Sequence, residues 1–349
     1  MPETTFQRVM VKTLLTLPSP ILRMMSGGGV VYRGGATLDP AFQFLAYQAR
    51  NQPPMSSLTA LEARAGAKAA LAMVAGRPAP DVRAEPLAIS GPLGDIPTRV
   101  YRPRAIDPRA PVLVYLHMGG GVIGDLETCH VFCTHLAQAM RAAVVSVDYR
   151  LAPEHRHPAG LEDCLAAYRY VRDHAEDFGA PPGRAAIGGE SMGGYFSAII
   201  AQDLRAAGEA QPDYQLLIFP CVDVASETPS MAVHADASPL GRDTMDWFLA
   251  QYLPSDADPA DPRVSPLRAR DVSGLAPALI FAAGFDPLSD QAELYAKALL
   301  AAGGQVIFRR YANLPHGFTS FGLVPAAEKA CEEIAQICAK AARGEAFAA

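Results

Sequence analysis

One serine in the chain has the neighbours that a nucleophile needs. Ser191 lies in Gly189-Glu190-Ser191-Met192-Gly193, a Gly-x-Ser-x-Gly run. The apolar residues Ala185-Ala186-Ile187 precede it, and apolar and small residues alternate from Tyr195 to Ala207. The pattern predicts a sharp strand-to-helix turn, which exposes the hydroxyl and needs small flanking residues for the chain to fold back. A serine hydroxyl also needs a base, and the base an orienting carboxylate. The apolar run 277–283 leads into Asp286-Pro287-Leu288, and the run 305–311 leads into Pro315-His316-Gly317-Phe318. Asp286 and His316 thus follow two predicted strands, and no other histidine lies beyond Asp286. Asp290 is a rival acid one turn into a predicted helix, and a helix N-cap is the other role open to Asp286. Ser191, Asp286 and His316 in this order are a constellation for covalent acyl transfer.

Such chemistry also needs donors for the oxyanion. His117-Met118-Gly119-Gly120-Gly121 follows a short apolar strand over 111–116. Consecutive glycines let backbone amides approach a substrate, so the Gly119, Gly120 and Met192 amides are the expected donors.

The elements that must position these residues form an alternation of strands and helices from about residue 84. Strands over 86–90 and 96–101 flank Gly91-Pro92-Leu93-Gly94-Asp95 and predict an antiparallel hairpin. Strands follow at 111–116, 143–147, just before Ser191, and at 214–219, 277–283 and 305–311, with helices at 128–140, 160–177, after Ser191, 288–302 and 325–342. Near-continuous apolar strands between helices predict a parallel sheet covered on both faces. Residues 1–55 and 225–268 break the rhythm. Both are expected to cover the carboxyl edge of the sheet, and the apolar stretch 9–25 to act as an amphipathic flap over the site. The expected division is 1–55 cap, 56–224 catalytic domain, 225–268 cap insertion and 269–349 catalytic domain.

Composition agrees with an enzyme of this size. Of 349 residues, 50% are hydrophobic and 19% charged, and the net charge is −6. A pI near 5.8 gives no general attraction to nucleic acid or anionic membranes. Six cysteines occur without a Cys-x-x-Cys pair, which favours a reduced, cytoplasmic setting. Cys129 and Cys133 lie beside His130 and His135 but lack the second ligand pair of a zinc site, so no metal is expected. Cys331 shares a helical stripe with Ile334 and Cys338 and is read as core. Lys12, Pro18, Pro20 and Arg23 interrupt the apolar N-terminal stretch, which is read as neither signal peptide nor membrane span.

The whole set of segments resembles the hormone-sensitive-lipase-like family of α/β-hydrolases, the bacterial carboxylesterases with a cap. His117-Met118-Gly119-Gly120-Gly121-Val122-Ile123-Gly124-Asp125 resembles the family's His-Gly-Gly-Gly segment. Asp148-Tyr149-Arg150-Leu151-Ala152-Pro153-Glu154-His155 nearly repeats its next signature, and Gly189 to Gly194 its elbow. Asp286-Pro287-Leu288 and His316-Gly317-Phe318 match the acid and base loops. The resemblance implies an α/β-hydrolase fold with a mostly parallel eight-stranded sheet and helical cap. It also implies hydrolysis of short- to medium-chain acyl esters by Ser191, Asp286 and His316, without a cofactor. The expected partner is a small-molecule ester, and a homodimer stays open. His117, Glu154 and Glu190 are supporting candidates, and Met118, Gly121 and Tyr195 are pocket candidates. Met118 and Gly121 depart from the family pattern, as do Glu190, Met192 and Tyr195 around the nucleophile. Other readings keep the triad for lactones, carbamates or thioesters, or make the scaffold a non-catalytic receptor.

Overall fold

The computed structural model describes residues 2–347. Eight strands form one sheet: β1 (Val82–Gly91), β2 (Gly94–Pro103), β3 (Val112–Leu116), β4 (Val144–Val147), β5 (Ala185–Glu190), β6 (Gln215–Ile218), β7 (Ala278–Phe285) and β8 (Val306–Pro315). Their order across the sheet is β8-β7-β6-β5-β3-β4-β2-β1. The β1–β2 hairpin is antiparallel, as is the pairing of β2 with β4, and all other neighbours are parallel.

The apolar strands are explained by burial on both faces. All five residues of β3 are buried, and alternate ones enter different cores. Leu113 and Tyr115 share a core with Phe132 and Leu136 of α5 (His130–Met140) and with Ile334 and Cys338 of α11 (Pro325–Ala342). Val112, Val114 and Leu116 pack with Leu161 of α6 (Ala159–Asp173) and with Ile199 and Ile200 of α7 (Met192–Ala206). Leu217 and Ile280 meet Tyr295 and Leu299 of α10 (Ser289–Ala301) in a third cluster. Cys331 and Cys338 lie in the first core, as expected of a helical stripe.

Several boundaries differ from the sequence expectation for local reasons. The helix expected from 128 begins at His130, because Asp125 first closes a turn with the Glu127 amide and the Thr128 hydroxyl. α6 ends at Asp173 and a 3-10 turn, Ala175–Phe178, completes the 160–177 stretch. β8 continues past 311 to Pro315 after a register shift, which carries the chain directly to His316.

The N-terminal region contains α1 (Pro2–Leu15), α2 (Ser19–Met25), α3 (Pro40–Ala49) and α4 (Ala60–Val74). The flap expectation for 9–25 is corrected here. Leu15 and Leu22 are buried with Phe42 and Phe44 in the core beside α11 and pin this stretch there, while Val9, Met10, Ile21, Met24 and Met25 stay exposed. α4 starts with a capping box between Thr59 and Glu62. In the 225–268 stretch, α8 (Pro229–Val233) and α9 (Arg242–Tyr252) are the α-helices.

Candidate active site

The segments expected to carry chemistry all leave the carboxyl ends of parallel strands, where open α/β sheets bind ligands. The glycine segment follows β3, Ser191 follows β5, Asp286 follows β7 and His316 follows β8. Ser191 adopts φ 52°, ψ −109° at the turn into α7. A non-glycine residue held there costs about 1–3 kcal/mol and persists only where its surroundings enforce it. Here the Ser191 amide donates to the Ile218 carbonyl (2.8 Å) on β6. The flanking glycines are required by contact. A Cβ on Gly193 would stand 1.9 Å from the Leu116 carbonyl oxygen, and one on Gly189 2.3 Å from the same atom.

Three side chains form one hydrogen-bonded line. His316 Nε2 is 2.9 Å from Ser191 Oγ, and His316 Nδ1 is 2.7 Å from Asp286 Oδ2. Asp286 is fully buried, and its Oδ1 accepts the Leu288 amide (2.9 Å). That second bond fixes the carboxylate. Asp290, the rival acid, is committed elsewhere: it accepts the Ser230 amide (2.8 Å) and lies 3.8 Å from Arg310. The Phe219 ring packs 4.8 Å from the His316 ring.

Gly119, Gly120 and Gly121 all have positive φ, at 128°, 61° and 71°. Among the described residues, no backbone carbonyl accepts the Gly119, Gly120 or Met192 amide, although Gly119 O accepts from Val122 and Ile123 (2.9 Å each). These amides therefore remain free to bind a developing oxyanion. His117 buttresses the segment from behind. Its Nδ1 lies 2.8 Å from the Met118 carbonyl oxygen, and its ring stacks on Tyr149 at 4.2 Å. Complete burial pushes its pKa down to about 4, so the imidazole is neutral.

A cavity of about 760 Å³ opens over Ser191 and His316. Met118, Gly119, Gly120, Met192 and Tyr195 line it, while Gly121 sits behind, against Tyr252 and the Met192 methyl. Phe248 and Tyr252 of α9 and Leu61, Arg64, Lys68 and Leu71 of α4 complete its roof. Among the described residues, those before Met55 line no part of it. Tyr195 donates its hydroxyl to the Arg263 carbonyl (3.0 Å), which leaves its ring as the wall.

Two supporting candidates behave differently. Glu154 is half-exposed and does not touch the glycines. It pairs with Arg64 (2.6 Å), which holds it down to about 2. Arg64 in turn donates to the Val122 and Ala152 carbonyls (2.8 and 2.7 Å), so the pair seats α4 beside the glycine segment. Glu190 is fully buried and accepts the Tyr115 hydroxyl at 2.7 Å. Sequence reading missed Arg64, Lys68 and Tyr115. The arginine and lysine sit four residues apart on one helix, yet nothing in that spacing says what they meet.

Cys129 and Cys133 are buried, with Cys129 Sγ 3.3 Å from Ser146 Oγ, while His135 Nε2 lies 2.9 Å from the Arg77 carbonyl oxygen. The four residues therefore do not converge on one point. Among the described residues, no helix is long and apolar enough to cross a membrane.

A serine poised on a strained strand-to-helix turn, at the carboxyl edge of an eight-stranded sheet of this order, defines an α/β hydrolase. Comparison with known proteins narrows the class. A family profile described as "alpha/beta hydrolase fold" matches residues 113–320. The "Carboxylic ester hydrolase LipN" of Mycobacterium tuberculosis is 43% identical over 325 residues, covering 90% of this chain and 86% of its own. An "Ethyl acetate hydrolase" of Pseudomonas putida is 37% identical over 275 residues, covering 78% of this chain and 86% of its own. Among solved structures, an ester hydrolase from the metagenome of Lake Arreo superposes with a TM-score of 0.82 at 35% identity, covering 93% of this chain and 98% of that one. The chain belongs to the α/β-hydrolase family, in its hormone-sensitive-lipase-like branch.

Proposed function

We propose that this protein is a serine carboxylesterase acting on small acyl esters through an acyl-enzyme intermediate. The observation that carries the reading is the unbroken line Ser191 Oγ, His316 and Asp286 at the floor of an apolar-walled cavity. The names of the relatives, carboxylic ester hydrolase and ethyl acetate hydrolase among them, support the same chemistry.

In this mechanism His316 Nε2 takes the Ser191 proton as Oγ attacks the ester carbonyl. The Gly119, Gly120 and Met192 amides bind the oxyanion of the tetrahedral intermediate. Asp286 holds the Nδ1–H tautomer and stabilises the imidazolium. His316 then returns the proton to the leaving alkoxide, which departs as the alcohol. Water, deprotonated by the same imidazole, attacks the acyl-enzyme and releases the acid, regenerating the serine.

The reading favours short to medium acyl chains, because Met192, Phe248 and Tyr252 close in on the glycine segment. It also keeps 1–55 and 225–268 as the cap segments of a body of 56–224 and 269–349, the roof over Ser191 being formed by 225–268 together with α4 of the body. A cytoplasmic setting belongs to the same proposal, supported by six free cysteines. The test is hydrolysis of a p-nitrophenyl ester series from acetate to palmitate by wild type and Ser191→Ala. Turnover is expected to peak at or below about eight acyl carbons and to vanish in the variant. Turnover that survives in Ser191→Ala would overturn the assignment.

A further inference from the structure

Glu190 precedes the nucleophile in sequence and is fully buried beneath it. Its Oε1 accepts the Tyr115 hydroxyl, and its Oε2 has no hydrogen-bond partner. The Thr319 hydroxyl, three residues beyond His316, is near it but outside hydrogen-bond geometry. A buried carboxylate is normally paired with arginine or lysine, because its desolvation is otherwise uncompensated. Among the described residues, no arginine or lysine pairs with it. Tyr115 reaches it from β3, while Cys133 of α5 and Cys331 of α11 feel it from neighbouring elements. Burial keeps both thiols and the phenol neutral. Among the described residues, the nearby group that can become a cation is His316, whose Nε2 lies 2.9 Å from the hydroxyl of the adjacent Ser191.

We propose that Glu190 is a positioning residue that acts through His316, its buried carboxylate serving as a second anionic counterpart to the imidazolium. The proposal rests on the esterase reading. In that mechanism His316 becomes a cation in both tetrahedral steps, and Asp286 faces only its Nδ1 side. Glu190 transfers no proton and touches no substrate. Its field favours the charged imidazole, and the Tyr115 hydroxyl favours the charged carboxylate. Burial raises Glu190 to about 7, while the Tyr115 hydroxyl works against that rise by favouring the carboxylate.

The test is the pKa of His316 in the full-length protein, read by NMR of histidine-labelled samples and assigned by loss of its signal in His316→Gln. Replacing Glu190 by Gln keeps the shape and the Tyr115 contact but removes the charge. The His316 pKa is expected to fall by about one unit, the lower end of what a nearby opposite charge produces. The acidic limb of kcat/KM moves down with it, and the plateau falls about tenfold. Glu190→Asp, which keeps the charge, stays closer to wild type on both readouts. Tyr115→Phe leaves Glu190 in place but raises its pKa, so the His316 pKa falls there too, which covers failure of Glu190→Gln to fold. An unmoved His316 pKa in Glu190→Gln, or in Tyr115→Phe if only that variant folds, overturns the proposal even where activity drops. A shifted His316 pKa in a protein without esterase activity would defeat the proposed function and leave this coupling standing.

Discussion

The Phe248 ring lies directly against Gly120: a Cβ on the glycine would stand 2.4 Å from Phe248 Cγ. The roof helix α9 and the expected oxyanion segment are therefore fitted to each other without space for one methyl group. Gly120 also has φ 61°, a conformation that L side chains resist. Gly120→Ala is expected to lower kcat about 10²–10³-fold, the cost of one displaced oxyanion donor. Phe248→Ala leaves the glycine untouched and opens the roof. Its expected signature is a shift of the p-nitrophenyl ester optimum toward longer acyl chains, with kcat on acetate changed less than about fivefold. An unchanged chain-length profile in Phe248→Ala would show that this ring does not bound the substrate.

The elbow makes a second, sterically sharper prediction. Gly193→Ala would place a methyl group 1.9 Å from the Leu116 carbonyl oxygen, so α7 or β3 must move. Overpacking against backbone costs about 1–3 kcal/mol or more. Urea denaturation is expected to show a loss of that size, together with esterase activity below about one per cent of wild type. A variant with wild-type stability and activity would mean that the elbow relaxes freely.

Asp286 and Asp290 lie four residues apart but have different partners. Asp286→Asn is expected to cut kcat by about 10⁴, because the amide would misorient His316 or hold it in the wrong tautomer. Asp290→Asn removes the charge facing Arg310 and weakens the acceptor for the Ser230 amide, and is expected to cost stability while leaving kcat within about threefold. Equal losses of kcat would remove the basis for choosing between them.

His117 provides the pH prediction. Its folded pKa near 4 lies below the ordinary value of 6.5, because burial disfavours the cation. Between those values the unfolded chain binds more protons than the folded one, so stability falls as pH drops from 6.5 to 4. The loss through this group is up to about 3 kcal/mol. His117→Phe, which can keep the stack on Tyr149, should flatten that part of the stability curve measured by denaturation at each pH. An equally steep curve in the variant would assign the acid sensitivity to other groups.

Arg64 is expected to matter more than its ion-pair partner. Glu154 is half-exposed, and such pairs contribute about 0–1 kcal/mol. Arg64→Ala also loses its bonds to the Val122 carbonyl of the glycine segment and the Ala152 carbonyl of the 148–155 segment, so KM should rise about tenfold, against less than about threefold for Glu154→Gln. Indistinguishable KM values would show that α4 does not need this anchor.

Much of the fold was legible because its signals are local. Strands such as 111–116 are apolar throughout since both faces are covered, and helices separate them at regular intervals. The elbow was legible for the same reason: Gly189 and Gly193 answer a clash with a backbone atom one strand away, and no side chain can substitute. What was not legible depended on contacts far apart in the chain. Asp290 lost its claim through Ser230, and α4 joined the roof through Arg64 and residues 122, 152 and 154. The stretch 9–25 was expected to be a flap because Lys12, Pro18, Pro20 and Arg23 break its apolar run and so suit neither a signal peptide nor a membrane span. What holds Leu15 and Leu22 instead, Phe42 and Phe44 among others, sits on another helix and beside α11.

By itself the sequence determined which residues can do chemistry here: a serine between glycines, a histidine and an aspartate after strands, and a glycine run. Residue types and strand ends carry that information along the chain. Only the tertiary structure decided which carboxylate reaches His316 Nδ1, that Glu190 lies buried with the Tyr115 hydroxyl as its partner, and that Phe248 presses on Gly120. Those outcomes depend on how separate elements pack, and angstrom-level packing is a property of the assembled core rather than of any local run of residues.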